Sequence, residues 1–243
     1  MSKSKLKANS GLLSYLDGLA MLVWGVLLIK LWLANQLFIL IHPNYVPLTI
    51  IAALCLLVIG VVELRRQGKI TAKKSGFSWG SGILLTTALV ALMIPPRAFA
   101  SDKAIHRGVE DPNILSSRLA PQSFRASNRP EQRTLLEWVR TISAYPEPDA
   151  YTGQPAKVTG FVVKSTELPQ GVFLLTRFVI TCCAADVYPV SLPVRAETAN
   201  LQNDQWLEVE GKMFTLEVSG SRKLAIAAEK ITPIPEPQNP YDT

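Results

Sequence analysis

Gly171-Val172-Phe173-Leu174-Leu175-Thr176-Arg177-Phe178-Val179-Ile180-Thr181-Cys182-Cys183-Ala184-Ala185-Asp186 is the stretch on which the fold of this chain turns. Gly171–Cys183 is a glycine-bounded apolar run rich in β-branched and aromatic residues, which predicts a long strand. Strand residues flank it at Ala156–Lys164, at Val187–Arg195 (interrupted by Pro189 and Pro193), at Gln205–Val218 and at Leu224–Ile231. Gly160 and Gly211 fall inside the first and fourth of these strands, where glycine permits the sharp bending that closure of a sheet requires. The expectation is a small five-stranded closed barrel of the oligonucleotide/oligosaccharide-binding (OB) type, with an open β-sandwich as the alternative.

Upstream, Leu135, Leu136, Trp138, Val139 and Ile142 recur at helical spacing between Pro130 and Ala144, predicting one helix packed on the strands. Residues 101–129 read as a linker, 130–235 as the helix-plus-barrel domain and 236–243 as a polar, proline-rich tail.

Residues 1–100 are different. Three apolar runs, about 12–41, 46–62 and 77–99, stand against a spanning requirement of about 20 residues. The fold class predicted is therefore an α+β membrane protein with three N-terminal transmembrane helices. Residues 1–99 carry ten Lys/Arg against Asp17 and Glu63, a net of +8, whereas the remainder has a net of −2. The sequence pI of about 9.3 thus belongs to the membrane-flanking segments. A nucleic-acid partner, which would need a basic stripe on the folded domain, is not indicated.

Lys3, Lys5 and Lys7 precede the first run, and Arg65, Arg66, Lys69, Lys73 and Lys74 separate the second from the third. The positive-inside rule places both clusters in the cytoplasm. Three spans then predict a multi-pass plasma-membrane protein with a cytoplasmic N-terminus and an extracytoplasmic C-terminal domain. Ala98-Phe99-Ala100 resembles a signal-peptidase site, but the run before it is long enough to span, so a retained anchor is expected.

The first run has two oddities. Its 30 residues would extend about 45 Å as a helix, beyond a bilayer core of about 30 Å. Lys30 lies inside it, either snorkelling toward headgroups or marking a polar path or partner contact. His42, at the end of this run, is placed near the outer membrane surface.

Cys182 and Cys183, with Asp186 beside them, are the candidate site. Their spacing matches none of the strong zinc or disulfide-exchange patterns. Neighbouring strand residues face opposite ways, so the thiols converge only if a bulge or turn intervenes. Three readings stand: a structural or interface pair, a soft-metal site using both thiolates and Asp186 with zinc or copper(I), and a vicinal disulfide. Cys55, in the second run, reads as a small membrane-buried residue. Arg177 and Asp186 are expected to pair on the surface. No hydrolase triad or phosphate loop is present, and the chain is expected not to be an enzyme.

With Gly160-Phe161-Val162, Arg177 through Asp186, Pro189, Trp206, Val209, Gly211 and His42-Pro43, the whole chain resembles the YcgQ-like family of two-component permease subunits. The resemblance implies a helical membrane region, a C-terminal barrel, and a separate multi-helix permease as partner within the lipid bilayer. It also implies a metal ion or metalloid as cargo. The resulting expectation is a non-enzymatic accessory subunit whose barrel captures or gates substrate. The alternative is a free-standing envelope sensor or assembly protein whose barrel binds a protein or glycan.

Overall fold

The structure is a computed structural model that describes residues 3–67, 79–107, 129–166, 168–196, 200–218 and 220–242. It divides into two compact units, Met1–Arg97 and Ala98–Thr243.

In the first unit, helix α1 (Lys3–Leu33) stops well short of the predicted residue 41. Asn35 adopts a left-handed conformation at φ 56°. The N–H of Gln36 donates to Leu31 O at 2.8 Å, and that of Asn35 donates to Trp32 O at 3.0 Å. This pair of bonds closes a Schellman motif with asparagine in the position usually held by glycine. The span-length portion is Tyr15–Leu33, 19 residues, so the apparent excess length disappears. A short connection through two 3₁₀ turns, Leu37–Ile39 and Pro43–Tyr45, leads into α2 (Val46–Gln67).

Helices α1 and α2 form a hairpin, and small residues set how closely they pack. A Cβ placed on Gly25 would lie 2.8 Å from the Leu57 side chain, and one on Gly60 would lie 2.8 Å from Leu22 and 3.0 Å from Gly18 O. Close approach of backbones is how helices associate in lipid, where burial of apolar surface gives no net drive.

Helix α3 (Trp79–Met93) differs from expectation. Among the described residues two helices, not three, are long and apolar enough to cross a membrane. At about 1.5 Å per residue α3 rises about 22 Å, short of a core of about 30 Å. Pro95 and Pro96 prevent its continuation; residues 77 and 78 lie outside the described residues.

The second unit begins with α4 (Ser101–His106). After residue 129 come a 3₁₀ turn (Pro130–Gln132) and α5 (Leu135–Ala144). The Thr134 hydroxyl accepts from Glu137 N, and the Glu137 carboxylate accepts from Thr134 N, a complete capping box. Leu135, Leu136, Trp138 and Val139 of α5 are buried against the strands.

The six strands are β1 (Pro155–Val163), β2 (Val172–Val179), β3 (Tyr188–Arg195), β4 (Trp206–Val218), β5 (Ser221–Pro233) and β6 (Tyr241–Asp242). They form one six-stranded sheet in the order β1-β4-β5-β3-β2-β6, and β1 also pairs with β2. The first five strands therefore trace a circuit of pairings that returns to its start. The contacts β3–β5 and β2–β6 are parallel; the others are antiparallel.

Two glycines make the circuit sterically possible. A Cβ on Gly160 would sit 2.7 Å from Thr176 O, and one on Gly211 would sit 2.1 Å from Ala227 O, beside the Glu210/Gly211 bulge. The prolines of β3 do not interrupt it. Strand β5 meets β3 only at Val194 and Arg195, so most of β3 has an edge where a missing N–H breaks no ladder bond. Residues 236–243, read from sequence as a tail, contain β6, whose Tyr241 is buried.

Candidate functional site: a dithiol loop on the β2–β3 hairpin

Strand β2 ends at Val179, four residues before the predicted end, so both cysteines lie in the hairpin loop that joins it to β3. Strand alternation no longer separates them. The backbone turns at Cys183–Asp186, where Asp186 N donates to Cys183 O at 3.0 Å. The Asp186 carboxylate folds back over the loop. It accepts from Cys182 N at 2.8 Å, from Cys183 N at 3.3 Å and from the Thr181 hydroxyl. The two thiols converge, with Sγ–Sγ 3.6 Å, and both are free. One ligand atom from each of Cys182, Cys183 and Asp186 lies within 4.8 Å of the other two. Cys182 is exposed and Cys183 half-buried, so neither is a buried space-filler.

Electrostatics keep Cys182 protonated. A hydrogen bond to the Asp186 carboxylate, and then one to Cys183, push the Cys182 thiol up to about 11. Partial burial pushes Asp186 up. Bonds from Thr181, the Cys182 thiol and the two amides outweigh that and hold it below the usual carboxylate range. Cys182 is therefore a poor nucleophile at neutral pH.

Both stems of the loop are fixed. Ile180 N donates to Asp242 O at 3.2 Å on the β6 side. On the other stem the Arg107 guanidinium donates to Val187 O and lies 4.9 Å from the Phe99 ring. Phe99 in turn packs on Phe178 and Tyr241.

Arg177 does not pair with Asp186. Its partner is Asp242, at 3.2 Å, with side chains only 14% and 11% exposed. Arg177 also donates to Thr159 Oγ1 and Asn239 O and stands 5.6 Å from the Trp206 ring. Burial pushes the Asp242 carboxyl up, against the pull of Arg177 and of a bond from Leu136 N in the first turn of α5. Arg177 thus anchors β6 and takes no part in the loop. The sequence reading missed Asp242 and Arg107; nothing in the flanking Pro-Gln-Asn-Pro or in the linker composition signals either role.

In the first unit, Lys30 donates to Leu92 O at 2.8 Å, at the C-terminal end of α3. It is a helix-end partner within the chain. The His42 Nδ1 accepts from Asn44 N at 3.1 Å and caps the Pro43–Tyr45 turn. Cys55 is a free, exposed cysteine on α2.

Residues 130–242 match the DUF1980 C-terminal domain, a stretch that begins at the 3₁₀ turn before α5 and ends at Asp242 of β6. This domain assignment is consistent with the YcgQ-like resemblance read from the sequence. No curated protein and no solved structure matches the chain.

Proposed function

We propose that this protein is a membrane-anchored accessory subunit of a multi-helix permease. Its C-terminal domain is a closed OB-like barrel on the extracytoplasmic side that captures or gates a metal ion or metalloid. The observation that carries the reading is the solvent-facing dithiol loop, with a carboxylate held against it by its own backbone, in a chain that also has two span-length apolar helices. The strand circuit β1-β2-β3-β5-β4 supports the barrel assignment.

Helix packing supports the topology. Asp17 of α1 accepts from Ser81 near the start of α3, and Lys30 bonds Leu92 near its end, so α1 and α3 run in parallel. Lys3, Lys5 and Lys7 at the start of α1 and Arg65 and Arg66 in the last turn of α2 then fall at the same end of the helices, as the positive-inside rule requires. Helix α3, though short, crosses as the companion of α1, and the chain beyond it leaves on the opposite face.

The test is purification of the full chain from native membranes in mild detergent. Recovery of a stable complex with a multi-helix permease is expected; recovery without one would favour a free-standing sensor or assembly protein. A membrane-impermeant maleimide added to intact cells should label Cys182 at elevated pH. Labelling only after lysis would overturn the orientation.

A further inference from the structure

The geometry points to a more specific ligand for the Cys182–Asp186 loop: one zinc-type divalent ion, held tetrahedrally by three donors of this chain with its fourth position open to solvent. This inference rests on the capture reading above and names the cargo.

The sulfur separation selects the coordination geometry. With metal–sulfur bonds of about 2.3 Å, the 3.6 Å gap between Cys182 Sγ and Cys183 Sγ closes an angle of about 103° at the metal. That is near the tetrahedral value. A linear two-sulfur site of the same bond length would need the sulfurs about 4.6 Å apart. The dithiol therefore arrives set for a tetrahedral ion and too closed for a linear one.

The third donor is already aimed. Asp186 is hydrogen-bonded to the Cys182 thiol, and all three donor atoms lie within 4.8 Å of one another. The sulfur–oxygen edge of a zinc tetrahedron with these ligands is about 3.5 Å. An ion replacing the S–H···O bond therefore reaches Asp186 with little rearrangement. The amides of Cys182 and Cys183 fix the carboxylate from behind. Such outer partners orient ligands and tune the metal they hold. As the two metal–sulfur bonds form, each thiol releases its proton to water. The metal keeps its oxidation state, so no electron acceptor is needed.

The open fourth position decides what the site is for. Among the described residues no further His, Cys, Asp or Glu joins the group. Its loop neighbours are Ala184 and Ala185, which offer no side-chain donor. Structural zinc sites are closed by four protein ligands, and a site with three leaves a place for an incoming group. An exposed three-donor site exchanges its ion with a fourth ligand from outside, which suits loading and hand-over better than storage.

The test uses the full chain in detergent, reduced and metal-free, titrated separately with cobalt(II), zinc(II), copper(I) and arsenite. One cobalt(II) per chain is expected, with a sulfur-to-cobalt charge-transfer band and the intense visible absorption of a tetrahedral ion, displaced by zinc(II). Cys183→Ser and Cys182→Ser should each remove the band. Asp186→Asn should keep sulfur coordination but weaken cobalt(II) at least about tenfold. Unchanged circular dichroism in the variants shows that they fold. No band, or equal cobalt in wild type and Cys183→Ser, would overturn the site. Binding of copper(I) or arsenite without cobalt(II) or zinc(II) would overturn the tetrahedral assignment while leaving metal capture standing. Absence of a permease from the purified material would bear on the accessory-subunit reading and not on this one.

Discussion

The carboxylate of Asp186 receives the backbone N–H groups of both Cys182 and Cys183, at 2.8 and 3.3 Å, and it also accepts from the Cys182 thiol, so the residue that closes the loop also holds the Cys182 proton. Replacing it separates the two roles. Asp186→Ala removes the largest cause of the raised Cys182 pKa. Alkylation by iodoacetamide at pH 8 should then accelerate about tenfold, less than the gain in thiolate because nucleophilicity falls with pKa. In the wild type the rate should keep rising past pH 9 toward the Cys182 pKa of about 11. A plateau by pH 9 would mean that Asp186 does not hold the proton.

The buried pair Arg177–Asp242 makes a different prediction. Arg177→Ala leaves a buried carboxylate without its cation and should cost about 3 kcal/mol, read as a lowered urea midpoint. Arg177→Met combined with Asp242→Leu should recover most of that loss, because two apolar side chains leave no charge unpaired. Equal loss in the single and double variants would show that the arginine contributes through packing alone.

The same carboxylate fixes a pH trend. Asp242 is raised in the folded state, chiefly by burial. Its contribution is fully present below the unfolded value of about 3.9 and is lost as pH rises through the higher folded value. Against an Asp242→Asn reference, wild-type Tm should therefore fall between about pH 4 and neutrality. A rise over that window would mean that Arg177 dominates the carboxyl.

Phe99 predicts the fate of the Ala98-Phe99-Ala100 segment. Its ring lies 5.6 Å from Phe178 and 6.3 Å from Tyr241, and Ser101 N donates to Asp204 at 2.6 Å. Cleavage after Ala100 would strip a packed aromatic from the second unit. The mature chain should retain its N-terminal helices and a mass near 26.7 kDa. N-terminal sequencing that begins at Ser101 would contradict this.

Gly25 tests the helix hairpin. Gly25→Leu places its side chain where Leu57 and the Ala53 carbonyl already stand. The α1–α2 pair should separate, lowering the denaturing-detergent fraction at which helicity is lost, whereas Gly82→Leu, with open space around it, should not.

The strands, the amphipathic helix and the bending glycines were legible because each depends on local composition and period. Gly160 and Gly211 stand where strands press together, and Leu135 through Val139 face the core as their spacing requires. What the sequence could not disclose depended on partners far along the chain. Arg177 appeared matched to nearby Asp186, whereas its partner lies beyond a proline-rich stretch. The first span appeared too long because Asn35 looks like an ordinary polar interruption until its φ of 56° shows it to be a stop. The cysteines were found at once. That they converge depended on β2 ending four residues early, which the apolar run through Ile180 concealed.

Helix α3 has no acidic residue in its first turn and no basic residue in its last. Asp17 and Lys30 of α1 stand at those two ends and complement its dipole. A chain made from its N-terminus thus has both caps in place before α3 is synthesised. The short third helix gains its end charges only by aligning parallel to the first, with its own ends matched to Asp17 and Lys30.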